Sequence, residues 1–513
     1  MAKINFDYYK EKDNYCYYVL NNLDNDTIEL LKNPENDQTI KEKNSHLYYY
    51  LLNKRNNELI DWWKLKGDCT VLEISGGLGL QTELFCKKAS SVTTICFSKT
   101  NAEIMASRLS GYDNLDIIVG DFREAQFDKK FDYIVISDVF EFSKAFFKNE
   151  LLFINHLKGL LAENGKIFCT VSNKYGIGNF SGCVSHITGN AFDEINNYPK
   201  VPFLSGYTKR ELTNIFQMAG FEKIKFYYPL PNHYENRIIL SDKSLNKIVI
   251  GDKIPNIYRH YGINPNRLVD EFHAVKSGIY DGRFTSMVNS YLIIVGKEDK
   301  DEQPYYIQQE DAIRTTLTDD SCVKTALTEK SAQTLDKMYE FYQNETKRIE
   351  ELGIKNIKYA HSEKQGNSLI MELAKGRVLN EIGLKILFDY NKFLAFGLEY
   401  KSLINKIYPN VKYQNYNFED ITLENVACVE NANIDLNLSN IFKDGDNYTI
   451  TDYDKTAPII PLNYILAQGI FVFMIDTGFA FKDVEYLKQL GLSEQEIRCY
   501  QMIFSKKNKI FQR

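Results

Sequence analysis

Asp435, Asn440 and Asp452 stand in one run, NIDLNLSNIFKDGDNYTITDYDKT, five positions from the first to the second and twelve to the third. Phosphoryl transfer uses such a set. One carboxylate receives or orients a hydroxyl proton, and an amide and a second carboxylate hold magnesium on the phosphates. The spacing puts Asp435 and Asn440 on one short loop. A turn at 443–447 is the tip of a hairpin that brings Asp452 back to the same place. The plain alternative is a polar hairpin with Asx turns, for which Asp-Gly-Asp-Asn is good material.

A second group is a turn. In VLEISGGLG (71–79) a strand-like run carries Glu73 and then Ser75, Gly76, Gly77 and Gly79. Glycine accepts positive φ and lets backbone N–H groups face a ligand such as a nucleotide. In an open parallel sheet, ligands bind beyond the carboxyl ends of strands. A tight strand-to-helix turn with no ligand is the alternative for so short a motif.

The elements that must hold these residues are legible in outline. Residues 1–65 read as a helical approach, with SHLYYYLLNKRNNELIDWW apolar at helical spacing. Strands and helices then alternate. TVLEI, SVTTICF, LDIIVG, DYIVIS and KIFCTVS are strands, and Ser98 caps KTNAEIMASRL. NELLFINHLKGLLA is a helix that stops at Asn164-Gly165, and Thr208 and Glu211 form a capping box before ELTNIFQMAG. KIKFYYP and NSYLIIVG are late strands around a long insertion, 230–288. This order implies a mostly parallel sheet covered on both faces. A charged stretch with proline, KEDKDEQP, marks a linker near 300. Beyond it, short strands (SCVKTAL, SLIMEL) bracket the polar helix TLDKMYEFYQNETKRIEEL, and helices close the chain.

At 513 residues the chain is too long for one ordinary core. A net charge of −6, with both signs mixed and no Lys/Arg block, does not suggest nucleic-acid binding. Nine scattered cysteines without a CxxC pair read as reduced thiols of a cytoplasmic protein. The opening MAKINFDYYKEKD has no apolar h-region. The stretch PLNYILAQGIFVFMIDTGFAF is interrupted by Asn463, Gln468 and Asp476, which makes it a buried helix rather than a membrane span.

The order of strands, glycine turn, Gly120-Asp121-Phe122 and Ser137-Asp138 resembles class I S-adenosylmethionine-dependent methyltransferases, over residues 45–297. That resemblance implies a Rossmann-like seven-stranded sheet ending in an antiparallel hairpin. LYYYLLNKRNNELIDWW, YDNLDIIVGDF, FDYIVISDVFEF and VSNKYGIGNFSG look like methyltransferases of bacterial surface-polysaccharide gene clusters. Carried over, Glu73 is the motif acid and Ser75, Gly77 and Gly79 are its glycine turn. Asp121 is the adenine-side acid, and Ser137 begins the region facing substrate. His186, in FSGCVSHITG, is the implied catalytic base, and Tyr227, Tyr228 and His233 are candidates for a sugar site. The family's acid for the ribose hydroxyls is replaced by Cys96 and Phe97. A lost charge-assisted hydrogen bond is worth roughly 1.5–3 kcal/mol.

Residues 303–480 resemble protein-kinase-like folds, especially bacterial lipopolysaccharide and small-molecule kinases. The resemblance implies Asp435 as base, Asn440 and Asp452 as metal ligands, and Asp454 as a further acid. Lys324 would neutralise nucleotide phosphates, with Glu340 or Glu345 as its partner, and Glu372 and Leu373 would edge the adenine. No glycine precedes Lys324 in EDAIRTTLTDDS, and the usual histidine before the catalytic aspartate is Asn433.

The two resemblances together imply a methyltransferase-like domain over 66–299, after the approach at 1–65, and a two-lobed α+β kinase-like domain over 303–513. The order matches enzymes that cap bacterial O-antigen chains. The expected function is S-adenosylmethionine-dependent methylation of a surface polysaccharide or its lipid-linked precursor, at the inner face of the membrane, with ATP and Mg²⁺ for the second half. A carbohydrate kinase with a degenerate methyltransferase half, and a non-catalytic scaffold of a polysaccharide assembly complex, are the alternatives.

Overall fold

A computed structural model describes residues 2–10, 23–185, 187–247, 268–269, 271–297, 303–310, 312–477 and 483–508. The chain divides into two compact units, Met1–Gln309 and Glu310–Arg513.

The first unit is built on one sheet. Its strands are β1 (Lys3–Asn5), β2 (Thr70–Ile74), β3 (Ser91–Cys96), β4 (Leu115–Val119), β5 (Phe131–Ser137), β6 (Leu161–Ser172), β7 (Ile224–Leu230), β8 (Ile238–Ser241), β9 (Ser290–Gly296) and β10 (Tyr306–Glu310). Their spatial order is β1-β4-β3-β2-β5-β6-β9-β7-β8-β10. From β1 to β6 neighbours run parallel. β9 pairs antiparallel with both β6 and β7. The parallel strands read as continuous apolar runs because helices cover both faces. Val71, Leu72 and Ile74 of β2 and Ile134, Val135 and Ile136 of β5 are all buried.

Three features differ from the sequence reading. The approach at 1–65 is not all helix, since β1 extends the sheet beside β4. The helix Glu150–Leu160 ends before Asn164-Gly165, and β6 has already begun at Leu161. A Cβ on Gly165 would stand 2.8 Å from the Leu161 side chain, so the glycine serves the start of the strand, not the end of the helix. β10 pairs antiparallel with β8, so the first unit runs past the charged linker.

The approach helices pack Leu47, Tyr49, Tyr50 and Leu59 inward, and the Ser45–Leu51 helix is capped by Asn44. The capping box at Thr208 and Glu211 and the Ser98 cap are both formed.

The second unit has three small sheets. β11 (Ile313–Leu317), β12 (Ser321–Ala326), β15 (Ser368–Glu372) and β14 (Ser362–Gln365) form an antiparallel sheet in that order. The helix Glu329–Glu351 follows β12 and buries Leu335, Met338 and Ile349. β13 (Ile357–Tyr359), β20 (Asn447–Ile450), β19 (Ile441–Asp444) and β16 (Arg377–Val378) make a second sheet. β17 (Lys412–Phe418), β18 (Ile421–Asn433) and β21 (Thr456–Pro461) make a third. The helices Tyr390–Ile407 and Leu462–Thr477 bury Tyr400, Ile404, Tyr464 and Leu466 in the core. No helix among the described residues is long and apolar enough to cross a membrane.

Candidate functional site

The glycine turn leaves β2 at the carboxyl end of the sheet. Ser75, Gly77 and Gly79 have φ of 69°, 55° and 92°, a region open to glycine and costly for other residues. Ser75 is held there by its backbone N–H donating to the Ile95 carbonyl at 2.9 Å. Beneath the turn, Glu73 is 1% exposed and accepts a hydrogen bond from Thr82 Oγ1 at 2.6 Å. Burial pushes its carboxyl up to about 7, against the hydrogen bond from Thr82. A Cβ on Gly76 would meet Thr94 Oγ1 at 2.4 Å and Glu73 Oε2 at 2.7 Å, so this glycine is required by close approach.

A cavity of about 390 Å³ opens on the turn. Ser75, Gly77, Cys96, Ser98 and Asn101 line one part of it, and Val139, Phe142 and Phe146 another. Its size lies in the range of small-molecule and cofactor sites. Glu73, Gly79, Asp121 and Ser137 are outside its lining. Gly79 instead begins the helix Leu80–Lys88. Ser137 Oγ donates to Gln81 Oε1 at 2.8 Å. Asp121 is gripped by Arg123, whose Nε lies 2.8 Å from both carboxylate oxygens and whose Nη1 donates to the Phe146 carbonyl at 2.5 Å. Phe97 stacks on Phe146 with centroids 4.8 Å apart. Cys96 is buried, and burial, then the charge of Glu73, holds its thiol far above the ordinary value.

A second, polar chamber lies along the same wall segments. Asp138, at φ 55°, follows β5 and places Oδ1 2.7 Å from His233 Nε2. His233 is 2% exposed and packs against Tyr234, with ring centroids 3.9 Å apart and the rings tilted by 39°. Glu141, 1% exposed, accepts from the Ser172 amide at 3.1 Å. Burial, then Asp138, pushes its carboxyl up to about 8. Glu194 accepts from Asn179 and from the Tyr198 hydroxyl. Sequence reasoning placed His233 among sugar-lining residues and missed both its bond to Asp138 and the two glutamates. Glu141 and Glu194 carry no local motif, and only the fold collects them. Tyr227 is buried against Trp62, and Tyr228 donates to Asp242. His186 lies outside the described residues.

In the second unit the loop after β18 gathers the predicted triad. Tyr400 OH donates to the Leu436 carbonyl at 2.6 Å, and Gln468 Nε2 to that of Ile434 at 2.5 Å, so core side chains hold this loop. Asn440 Nδ2 donates to the Asp435 carbonyl at 3.0 Å and to its Oδ2 at 3.3 Å. Asn433 Oδ1 accepts from the Asp435 amide at 2.8 Å, and its Nδ2 donates to the Asp452 carbonyl at 3.0 Å. It ties the two acids together, a role its sequence position did not announce. Carboxylate oxygens of Asp435, Asp452 and Asp454 lie within 4.8 Å of one another, close enough to share one metal ion. Burial, then Asp452, pushes the Asp435 carboxyl up to about 7.

Lys324 Nζ lies 2.8 Å from Asp452 Oδ1. Burial alone would lower this ammonium, and the charges of Asp452 and Asp454 outweigh it and raise it. The carboxylate on Lys324 is therefore Asp452, and the two candidate glutamates of the long helix, Glu340 and Glu345, are placed elsewhere. Glu345 is engaged by Arg348 and Tyr359, and Glu340 lines a cavity of about 710 Å³ with Asp454. Glu372 ends β15 and accepts from Lys358 Nζ at 2.6 Å and from the His361 amide at 3.0 Å.

Residues 72–169 match the family model described as a methyltransferase domain. No curated protein matches the chain. Among solved structures the chain is similar to a chain of the complex between the Haloferax volcanii Trm112 methyltransferase activator and a methyltransferase, at 12% identity and TM-score 0.32, covering 53% of this chain and 96% of that one. It is similar to a SAM-dependent methyltransferase of Thermotoga maritima at 12% identity and TM-score 0.31, over 51% and 97%. For one from Archaeoglobus fulgidus the values are 16% and 0.30, over 51% and 99%. The parallel sheet and the glycine turn after β2 give the N-terminal part a Rossmann-like fold, and within it residues 72–169 match a methyltransferase domain.

Proposed function

We propose that the chain methylates a bacterial surface polysaccharide or its lipid-linked precursor, and that its second unit is a kinase-type phosphotransferase acting on the same glycan. The observation that carries the methylating half is the cavity of about 390 Å³ on the glycine turn. Its residues fit S-adenosylmethionine with a neutral ribose contact. Ser75 and Gly77 would hold the cofactor through the turn, and Ser98 and Asn101 are the polar side chains near the end of β3. The cofactor, when bound, supplies an electrophilic methyl group. The chain's own residues supply a largely apolar wall and a buried acid–base pair beside it.

For the second unit, the acid cluster, Asn440 and Lys324 support phosphoryl transfer with ATP and Mg²⁺. Asp435, on the loop shared with Asn440, is placed to receive the hydroxyl proton. Asp452 and Asn440 would hold the metal. A second reading, a carbohydrate kinase with a retired methyltransferase half, is favoured by Cys96 and by the stacking of Phe97 on Phe146.

Calorimetric titration of the full chain with S-adenosylmethionine, and then with ATP and Mg²⁺, separates the readings. Micromolar S-adenosylmethionine binding supports the methyltransferase. Silence rescued by Cys96→Glu marks a retired half. An ATP signal lost in Asp452→Ala supports the kinase half. Silence in both titrations leaves the scaffold.

A further inference from the structure

The polar chamber beside the cofactor cavity has a chemical role of its own. It is about 20 Å³ in volume and is lined by Asn179, Ser185, Glu194, Asn232, His233 and Asn289. That is room for one water-sized group and no more. It shares its walls with the larger cavity. Residues 184–185 and 194 face the chamber, while 187–188, 190 and 193 face the cavity. Val139, next to Asp138 in the chain, lines the cavity too.

Inside this buried setting His233 is half satisfied. Its Nε2 meets Asp138 Oδ1 at 2.7 Å, and its Nδ1 is buried with no hydrogen-bond partner among the described residues. Glu141 Oε2 is buried in the same state. A buried polar atom left without a partner is costly, and such atoms mark sites where a ligand group completes the set.

We infer that His233 is the general base of the methyl transfer, that Asp138 is its positioning residue, and that the acceptor is an alcohol hydroxyl rather than a phosphate oxygen. Asp138 fixes Nε2 as the protonated nitrogen and leaves the Nδ1 lone pair for the substrate. His233 Nδ1 removes the hydroxyl proton while that oxygen forms its bond to the methyl carbon and the sulfur–methyl bond breaks, its electron pair staying on sulfur. Asp138 then balances the imidazolium. The chamber admits one hydroxyl and keeps the rest of a sugar ring outside. The carboxylates of Asp138 and Glu194 would repel a phosphate dianion from it. The inference rests on the methyltransferase reading above and names its base and acceptor.

The test uses the full chain labelled with ¹⁵N-histidine and saturated with S-adenosylhomocysteine. The His233 resonance is assigned by its loss in His233→Gln. The expected result at neutral pH is a protonated Nε2 and an unprotonated, pyridine-type Nδ1, with the tautomer disturbed in Asp138→Asn. A protonated Nδ1 with a bare Nε2 overturns the inference.

Transfer of labelled methyl from S-adenosylmethionine to methyl α-glucoside, α-galactoside and α-mannoside is the second readout. His233→Gln should lower it about 10²- to 10⁴-fold with cofactor affinity unchanged. Undiminished transfer overturns the inference and leaves the methyltransferase reading intact. Where no glycoside is labelled, the tautomer decides; where His233→Gln does not fold, the His233 resonance is assigned by its shift in Asp138→Asn, and the tautomer again decides. No S-adenosylmethionine binding by the native chain removes the reading beneath the inference, and the inference with it.

Discussion

Glu73 shows how one buried side chain couples the site to pH. Its carboxyl is pushed up to about 7 by burial, above the ordinary 4.5. An acid whose folded value is raised gives stability that is present below the unfolded value and is lost as pH rises through the folded one. Across pH 4.5 to 7 the loss is on the order of 3 kcal/mol. Glu73→Gln cannot ionise and escapes that loss. Its melting temperature relative to the native chain is therefore expected to rise between pH 5 and pH 8. Thermal melts at the two pH values check this. Lys324 poses the opposite case, because its ammonium is held by Asp452. Asp452→Asn leaves a cation with a 12% exposed side chain short of its main partner, at a cost of about 3 kcal/mol. Urea midpoints should fall in Asp452→Asn and recover partly in the Lys324→Met/Asp452→Asn double variant.

At the scale of elements, the glycine turn separates two uses of the same residue. Gly77 needs φ 55°, yet a Cβ added there would meet nothing within 4 Å, whereas Gly76 needs only space. Gly77→Ala carries the left-handed penalty of about 1–2 kcal/mol with no clash. Gly76→Ala must push Thr94, Glu73 and Met105 apart, so about 1–3 kcal/mol is expected, together with a distorted cavity wall. Thermal melts should show the larger stability loss for Gly76→Ala, and calorimetric titration with S-adenosylmethionine an affinity loss in both variants. Much of this was legible, since the motif spelled out the turn and its acid. The division of labour between the glycines was not, because it depends on β3 and the helix Lys99–Arg108 supplying Thr94 and Met105.

For the whole molecule, the boundary between units follows strand pairing rather than composition. β10 buries Tyr306 and Ile307, at 3% and 2% exposure, and pairs with β8. A fragment ending after Gln309 should melt several degrees above one ending after Lys297, as measured by circular dichroism. KEDKDEQP reads as a linker by charge and proline, yet the strand beyond it belongs to the first unit. Local composition cannot report which sheet a following strand will join.

By itself the sequence determined the local and the periodic. Apolar runs made the parallel strands, Ser98 and Thr208 capped their helices, and the spacing from Asp435 through Asn440 to Asp452 required a loop and a hairpin. Those features depend on neighbours a few residues apart. Tertiary structure alone decided that Asp138 meets His233 across 95 positions and that Lys324 meets Asp452 across 128. Each of these pairs is set by how elements stack and in which register. Their strength depends on both groups leaving water together, and a one-dimensional pattern carries no trace of that.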